Sequence, residues 1–123
     1  MARIDDERNV WLATVRPDGR PHLTPIWYCF RDDRFWICTS TESVKARNVL
    51  LNPNVSVSLE DGNRPVVAEG TVTIHQRPYP QPVIDMFIHK YDWDISRRDD
   101  PDGTYDALLE VAVDRWLMGH PTT

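Results

Sequence analysis

The sequence has few cysteines and lacks an excess of positive charge, and each shortage excludes function classes. Only two of its 14 basic residues are lysines, Lys45 and Lys90, and the 19 acidic residues give a formal charge of −5 at pH 7. Such a chain is a poor match for nucleic-acid backbones or anionic membrane surfaces, so we expect neither as a partner. The two cysteines, Cys29 and Cys38, lack the spacing of a metal or redox motif, and we interpret them as free thiols.

Long apolar segments are also missing. No uninterrupted apolar segment approaches the length of about 18 residues that a transmembrane helix requires. The first ten residues include five charged side chains, where a secretion signal would need an apolar stretch. We therefore expect residues 1–123 to form a single cytoplasmic domain.

Common catalytic signatures are absent from the sequence as well. It contains no glycine-rich nucleotide loop and no Gly-x-Ser-x-Gly nucleophile motif. The four histidines are scattered, which argues against a metal site. Residues 99–103 look like part of a calcium loop, but Arg98 stands where the first ligand should be. We predict no metal and no catalytic side chain.

What the chain does contain is a series of short apolar strands separated by turns. Pro17 and Gly19 favour a tight turn after a strand over 10–15. A second hairpin joins a strand over 23–30 to one over 35–39. Its register is predicted to pair Phe30 with Phe35, Cys29 with Trp36, and Trp27 with Cys38. Three more strands are predicted, over 55–59, 66–75 and 107–118.

Two helices interrupt the strands. The first is predicted over 41–51, with Thr41 or Ser43 as its N-cap. The second begins at Pro80 or Pro82, and its apolar positions share one face: Val83, Ile84, Phe87, Ile88 and Tyr91. Gly70 predicts a bulge or a close backbone approach within its strand. About six antiparallel strands with two or three helices predict a small, mainly β protein, a β-barrel with helices across its mouth and side.

The start of the first helix is the best candidate for chemistry. Unpaired N–H groups and a partial positive charge at a helix N-terminus attract anions. Hydroxyls precede this helix, and Lys45 and Arg47 lie within it, so a phosphate would fit. The alternative is that Ser43 or Thr41 only caps a helix whose cationic side chains are solvated.

Four segments of the chain resemble a known family. Residues 12–28 read LATVRPDGRPHLTPIWY, and three further motifs follow in order: Ser43-x-Lys45-x-Arg47-Asn48, Asn52-Pro53-Asn54-Val55-Ser56 and Ala68-Glu69-Gly70. Together they resemble the pyridoxamine 5'-phosphate oxidase-like superfamily of split β-barrel flavoproteins. The resemblance covers nearly the whole chain. It is closest to the small branch of flavin- or deazaflavin-dependent oxidoreductases, because Val44 stands where true oxidases have an arginine.

The resemblance implies a six-stranded antiparallel split β-barrel that binds FMN, or alternatively the deazaflavin coenzyme F-420. It also implies a homodimer with two cofactors in clefts between the subunits, and hydride transfer to a small planar or unsaturated substrate. Carried over by position, the implied phosphate ligand is Lys45. The full set of implied cofactor-binding residues is Thr24, Pro25, Ile26, Trp27, Cys38, Thr39, Ser43, Lys45, Arg47 and Trp116.

A non-enzymatic module remains the alternative. A split barrel could store or sense flavin, or it could hold a haem. Haem would need an axial ligand, for which His22 and His75 are the candidates near the sheet.

Overall fold

The computed structural model describes residues 2–122, which form seven strands and three helices. In chain order these elements are α1 (Arg3–Asp6), β1 (Asn9–Val15), β2 (Pro21–Trp27), β3 (Cys29–Arg31), β4 (Arg34–Thr39), α2 (Val44–Leu51), β5 (Asn54–Leu59), β6 (Val67–His75), α3 (Gln81–Tyr91) and β7 (Ala107–Met118). The strands make one sheet in the order β2-β1-β5-β6-β7-β4-β3. Every neighbouring pair in it is antiparallel.

The position of Tyr28 shows that this sheet is rolled up. Strands β2 and β3 are the two edges of the sheet, yet only Tyr28 separates the end of β2 from the start of β3. Consecutive Cα atoms lie about 3.8 Å apart, so the two edges must meet at this residue. The sheet is therefore a barrel whose edges join at one point and are not paired along their length, which is the predicted split β-barrel.

The same break corrects two predictions. The strand predicted over 23–30 is divided at Tyr28, so the sheet has seven strands and not six. Trp27 pairs with Asn9 of β1, and the predicted pairing of Trp27 with Cys38 is wrong. Both halves of the segment are apolar, so the hydrophobic pattern contains no sign of the change of partner. The pairs Phe30–Phe35 and Cys29–Trp36 are confirmed.

Two apolar clusters fill the molecule. The larger lies inside the barrel and includes Leu12, Phe35, Ile37, Leu109 and Val111. The smaller lies between α3 and the sheet and includes both cysteines and the α3 side chains Val83, Ile84, Phe87 and Tyr91. Ile88 does not join it as predicted, because it is 42% exposed.

The helices follow the sequence signals closely. Ser43 is the N-cap of α2, so the helix begins at Val44, three residues later than predicted. Buried Asn48 fixes α2 on β1 by donating a hydrogen bond of 3.0 Å from Nδ2 to the hydroxyl of Thr14. The short α1 was not predicted. No helix within residues 2–122 has the length and apolar character needed to cross a membrane.

Gly70 marks the predicted irregularity in β6. The register between β6 and β7 shifts between Glu69 and Gly70. A Cβ atom at position 70 would lie 2.7 Å from the carbonyl oxygen of Ala112 and 2.7 Å from Val111 Cγ1. The close backbone approach that the sequence predicts is confirmed.

Candidate functional site

The residues that the sequence singles out fall into three places in the structure. Pro25, Ile26, Trp27 and Cys38 line one pocket of about 480 Å³, which we call the aromatic pocket. The Thr39–Arg47 group surrounds the start of α2. Trp116 belongs to neither place: its ring packs against Phe30 and Phe35, with centroid distances of 6.0 and 6.2 Å.

The hydroxyl groups that precede α2 make hydrogen bonds within the protein. The Ser43 hydroxyl donates to the Ser40 carbonyl at 2.8 Å and accepts from the Ala46 N–H at 3.2 Å. The Thr39 hydroxyl donates to Ser43 Oγ at 3.2 Å. The capping that the sequence offered as an alternative is therefore present, and it uses the side chain of Ser43 itself.

A carboxylate also reaches this turn from a distant part of the chain. Asp106 accepts hydrogen bonds from the backbone N–H of Thr41 at 2.8 Å and from its hydroxyl at 3.0 Å. The N–H bond is the main reason that the pKa of Asp106 is lowered from its ordinary value. Asp106 stabilises the turn. It was not predicted, because 65 residues separate it from Thr41.

Lys45 stands apart from these bonded groups. Its side chain is half-buried, and burial lowers the pKa of its ammonium group. Within residues 2–122 no hydrogen bond or ion pair compensates this amine. A partly desolvated cation without a partner is unfavourable, and an incoming anion would relieve the cost.

The imidazole of His22 lies in the same electrostatic environment. Its pKa is lowered, first by burial and then by the positive charges of Arg16 and Lys45. Its Nδ1 atom is buried and has no hydrogen-bond partner among the described residues. We call the two cations Arg16 and Lys45, together with the neutral imidazole of His22, the cationic cluster.

Arg16 extends this cluster towards Arg47. Arg16 and Arg47 both line a hollow of about 530 Å³ beside α2, together with Val44, Asn48 and Leu51. The sequence presented Arg16 only as the first residue of a turn. Its role in the site follows from the β1–β2 hairpin, which places that turn against α2.

Strand β2 connects the cationic cluster to the aromatic pocket. His22, Thr24 and Ile26 alternate along the half-buried face of β2, with Thr24 between the other two. Five steps separate His22 from Trp27, or about 16 Å at about 3.3 Å per residue. The cationic cluster and the aromatic pocket thus lie near the two ends of one edge strand.

Aromatic side chains form much of the pocket. The Trp27 and Tyr91 rings are stacked with centroids 4.4 Å apart, and Trp93 meets Trp27 edge-on at 5.9 Å. Tyr105 packs edge-on against Trp93 at 4.8 Å. The stacked pair is brought together because α3 ends at Tyr91, against the junction of β2 and β3.

The two cysteines offer no nucleophile to this pocket. Burial raises the pKa of each thiol to about 12. Cys38 Sγ also lies 3.7 Å from the carbonyl oxygen of Tyr105, to which its thiol donates. Neither side chain is paired in a disulfide, so the interpretation of both as free thiols is confirmed.

The histidines proposed as haem ligands are held differently. His75 Nε2 lies 2.7 Å from Glu110 Oε1, and its ring contacts Trp36 at a centroid distance of 5.6 Å. His22 retains the unpartnered Nδ1 described above. Of the two, His22 has a ring nitrogen without a hydrogen-bond partner among the described residues, and that nitrogen is buried.

Comparison with known proteins identifies the family. The family model described as pyridoxamine 5'-phosphate oxidase matches residues 1–118. The chain belongs to this family. No curated protein matches the chain in sequence.

Solved structures with the same fold carry different descriptions. An F420 reductase is 24% identical with a TM-score of 0.73, covering 92% of this chain and 91% of that one. A conserved hypothetical protein from Mycobacterium tuberculosis is 29% identical with a TM-score of 0.71, covering 92% and 77%. The haem storage protein HutZ from Vibrio cholerae is 18% identical with a TM-score of 0.73, covering 91% and 85%. Proteins whose descriptions name different cofactors, F420 in one and haem in another, therefore share this fold.

Proposed function

We propose that this protein binds a phosphorylated flavin, FMN or the deazaflavin coenzyme F-420, and acts as an oxidoreductase on a small planar or unsaturated substrate. The observation that carries the proposal is the cationic cluster, in which half-buried Lys45 has no hydrogen-bond or ion-pair partner among the described residues. The family match supports it, as does the F420 reductase among the similar folds.

The residues present suit such a ligand. Lys45 and Arg16 provide positive charge for a phosphate, and the aromatic pocket provides flat apolar walls for a ring. Strand β2 is paired only with β1 among the described strands, so its other edge leaves backbone groups for a ligand. A bound flavin would supply the hydride chemistry.

The chain's own residues would then bind and orient. Lys45 holds the anionic tail at one end of β2. Pro25 and Ile26 present the strand to the ring. Trp27 and Tyr91 exclude water from the pocket, which strengthens electrostatic interactions inside it. No described side chain in the pocket needs to act as a nucleophile for this chemistry.

A second copy of the chain completes the proposal. Three large side chains are exposed on the outer face of the β1–β2 hairpin: Trp11 (40%), Leu23 (61%) and Trp27 (39%). Their shared orientation follows from the register, which pairs Trp11 with Pro25 and Ala13 with Leu23. An apolar face of this kind on an edge hairpin suits a homodimer that encloses the cofactor at its interface.

Separate titrations of FMN and coenzyme F-420 into wild-type protein, Lys45→Met and Lys45→Arg test the phosphate anchor. Loss of a charge-assisted contact is expected to raise the dissociation constant of the preferred cofactor by about 10- to 100-fold in Lys45→Met. Lys45→Arg should keep most of the affinity. The readout is quenching of cofactor fluorescence.

Riboflavin provides the matched control for FMN, since it has the same ring without the phosphate. Its affinity should be the same in wild-type protein and Lys45→Met. Equal FMN affinity in those two proteins would refute the anchor.

Haem binding is the second candidate, supported by the similarity of fold to HutZ and by His22, whose buried Nδ1 has no hydrogen-bond partner among the described residues. The visible spectrum of the purified protein separates the two. Flavin bands that a reductant bleaches support the first proposal, whereas a Soret band that disappears in His22→Ala supports the second.

A further inference from the structure

The aromatic pocket has a second property that the cofactor does not explain. Three carboxylates line it together with the aromatic rings: Asp92, Asp100 and Asp102. None of the described residues lining the pocket is basic. The lining therefore carries a net negative charge, opposite in sign to that of the cationic cluster at the other end of β2.

The fold fixes the backbone of Asp92 and the carboxylate of Asp100, whereas Asp92 and Asp102 expose their side chains. Asp92 is the C-cap residue of α3 and has the left-handed conformation, with φ at 54°. Asp100 accepts hydrogen bonds from Trp93 Nε1 at 2.8 Å and from the Asp102 N–H at 2.9 Å. These bonds lower the pKa of Asp100, so it is charged at neutral pH.

The rings beside these acids are suited to cations. The electron-rich faces of tryptophan and tyrosine attract positive charge, and more strongly where water is excluded. The stacked pair already shows this preference, because Arg8 Cζ lies 5.1 Å from the Trp27 ring centroid and 4.6 Å from that of Tyr91. Arg8 lines a different pocket, between α1 and α3, and leaves the aromatic pocket open.

We propose that the aromatic pocket binds a flat organic cation, such as an aryl-ammonium or pyridinium compound, between its aromatic walls and its three carboxylates. The apolar body of the ligand packs against Trp27 and Trp93, and its positive charge faces Asp92 and Asp102. The cation needs no cofactor in order to bind. Where the ring of the cofactor proposed above is also bound, the two share this pocket. That the cation is the substrate rests on the function proposed above.

Calorimetry with three matched probes tests the charge preference. Phenyltrimethylammonium carries the charge, tert-butylbenzene has the same shape without it, and benzenesulfonate reverses it. We expect the cation to bind cofactor-free protein more tightly than the neutral probe, and the anion to bind least. A neutral or anionic probe that binds as tightly as the cation, or a cation that does not bind, would overturn the proposal.

Two double variants locate the binding site. Asp92→Asn with Asp102→Asn removes two pocket carboxylates and should weaken phenyltrimethylammonium by about fivefold, since partly exposed ion pairs contribute about 0.5 kcal/mol each. Asp33→Asn with Asp99→Asn is the control. It also removes the carboxylate of one aspartate with left-handed backbone, at φ 56°, and of one aspartate from the segment between α3 and β7, but neither residue lines the pocket. Equal weakening in both would refute the site.

Indole N–H resonances provide a second readout that does not depend on the variants. Trp27 and Trp93 line the pocket, whereas Trp11 and Trp36 do not. Phenyltrimethylammonium should shift the indole signals of the first pair and leave those of the second pair in place. Shifts confined to Trp11 and Trp36 would place the cation elsewhere and overturn the proposal. FMN titration of the same samples reports separately on the proposed function.

Discussion

At the residue scale, the polar side chains around the start of α2 differ in whether they already have hydrogen-bond partners within the protein. Ser43 and Thr39 precede the helix as a phosphate-binding turn would require, yet their hydroxyls bond to the protein itself. Lys45 lies in the same motif and has no such bond among the described residues. The sequence could not distinguish these cases, because the bonds depend on the conformation of the 39–43 turn.

Gly70 allows a test at this scale. Gly70→Ala should lower the free energy of unfolding by about 1–3 kcal/mol, because its Cβ would overlap the Ala112 carbonyl and Val111. Urea denaturation measures the change. Gly62→Ala is the control: nothing lies within 4 Å of its Cβ, so a change within about 0.5 kcal/mol is expected. Equal effects would show that the β6–β7 approach is not tight.

At the scale of elements, signals that are local in sequence predicted the fold best. The turn at Arg16–Arg20, the cap at Ser43 and the strand over 107–118 all follow from neighbouring residues, and the structure confirms them. The break at Tyr28 was missed because it depends on the choice of strand partner. The aromatic pocket was missed in part for a similar reason: Trp93 and Tyr105 lie in the segment between α3 and β7, which meets β2 only in three dimensions.

Tyr91 provides the test for how α3 is attached. Its hydroxyl accepts from the Tyr28 N–H at 3.0 Å and lies within hydrogen-bond distance of the carbonyl oxygens of Arg8 and Tyr28, at 2.7 and 2.8 Å. Tyr91→Phe leaves a buried N–H unpaired and should cost about 1–3 kcal/mol of unfolding free energy.

Thermal and urea denaturation would measure this cost. The control is Tyr105→Phe, since the Tyr105 hydroxyl has no hydrogen bond within residues 2–122. A Tyr91→Phe protein as stable as that control would mean that α3 is held by apolar packing alone.

At the scale of the whole molecule, the barrel interior and the outer face of the β1–β2 hairpin differ in how their apolar side chains are covered. The barrel interior is closed by its own side chains, whereas the outer face of the β1–β2 hairpin exposes large apolar groups. The family match could be anticipated from the motifs, and the split barrel with it. The opposite charges at the two ends of β2 could not, because Asp100 and Asp102 approach that strand only in three dimensions.

A charged substitution on the outer face of the β1–β2 hairpin tests the proposed dimer. Leu23→Glu places a charge on the outer face of β2, and burying an unpaired charge at an interface is costly. The dissociation constant of the dimer should rise at least about tenfold. Leu50→Glu, at a 73% exposed position on α2, should leave it unchanged. Sedimentation velocity measures both, and a wild-type monomer would contradict the proposed assembly.

The place of β7 in the sheet sets the order in which the barrel can form. It lies between β6 and β4 and is the only connection between the pairs β5–β6 and β4–β3 within the described sheet. During synthesis it leaves the ribosome after all the other strands. Until then the two ribbons are joined through the chain at Tyr28 but share no strand pairing, so barrel closure is a late, non-local step that leaves apolar faces exposed while it is pending.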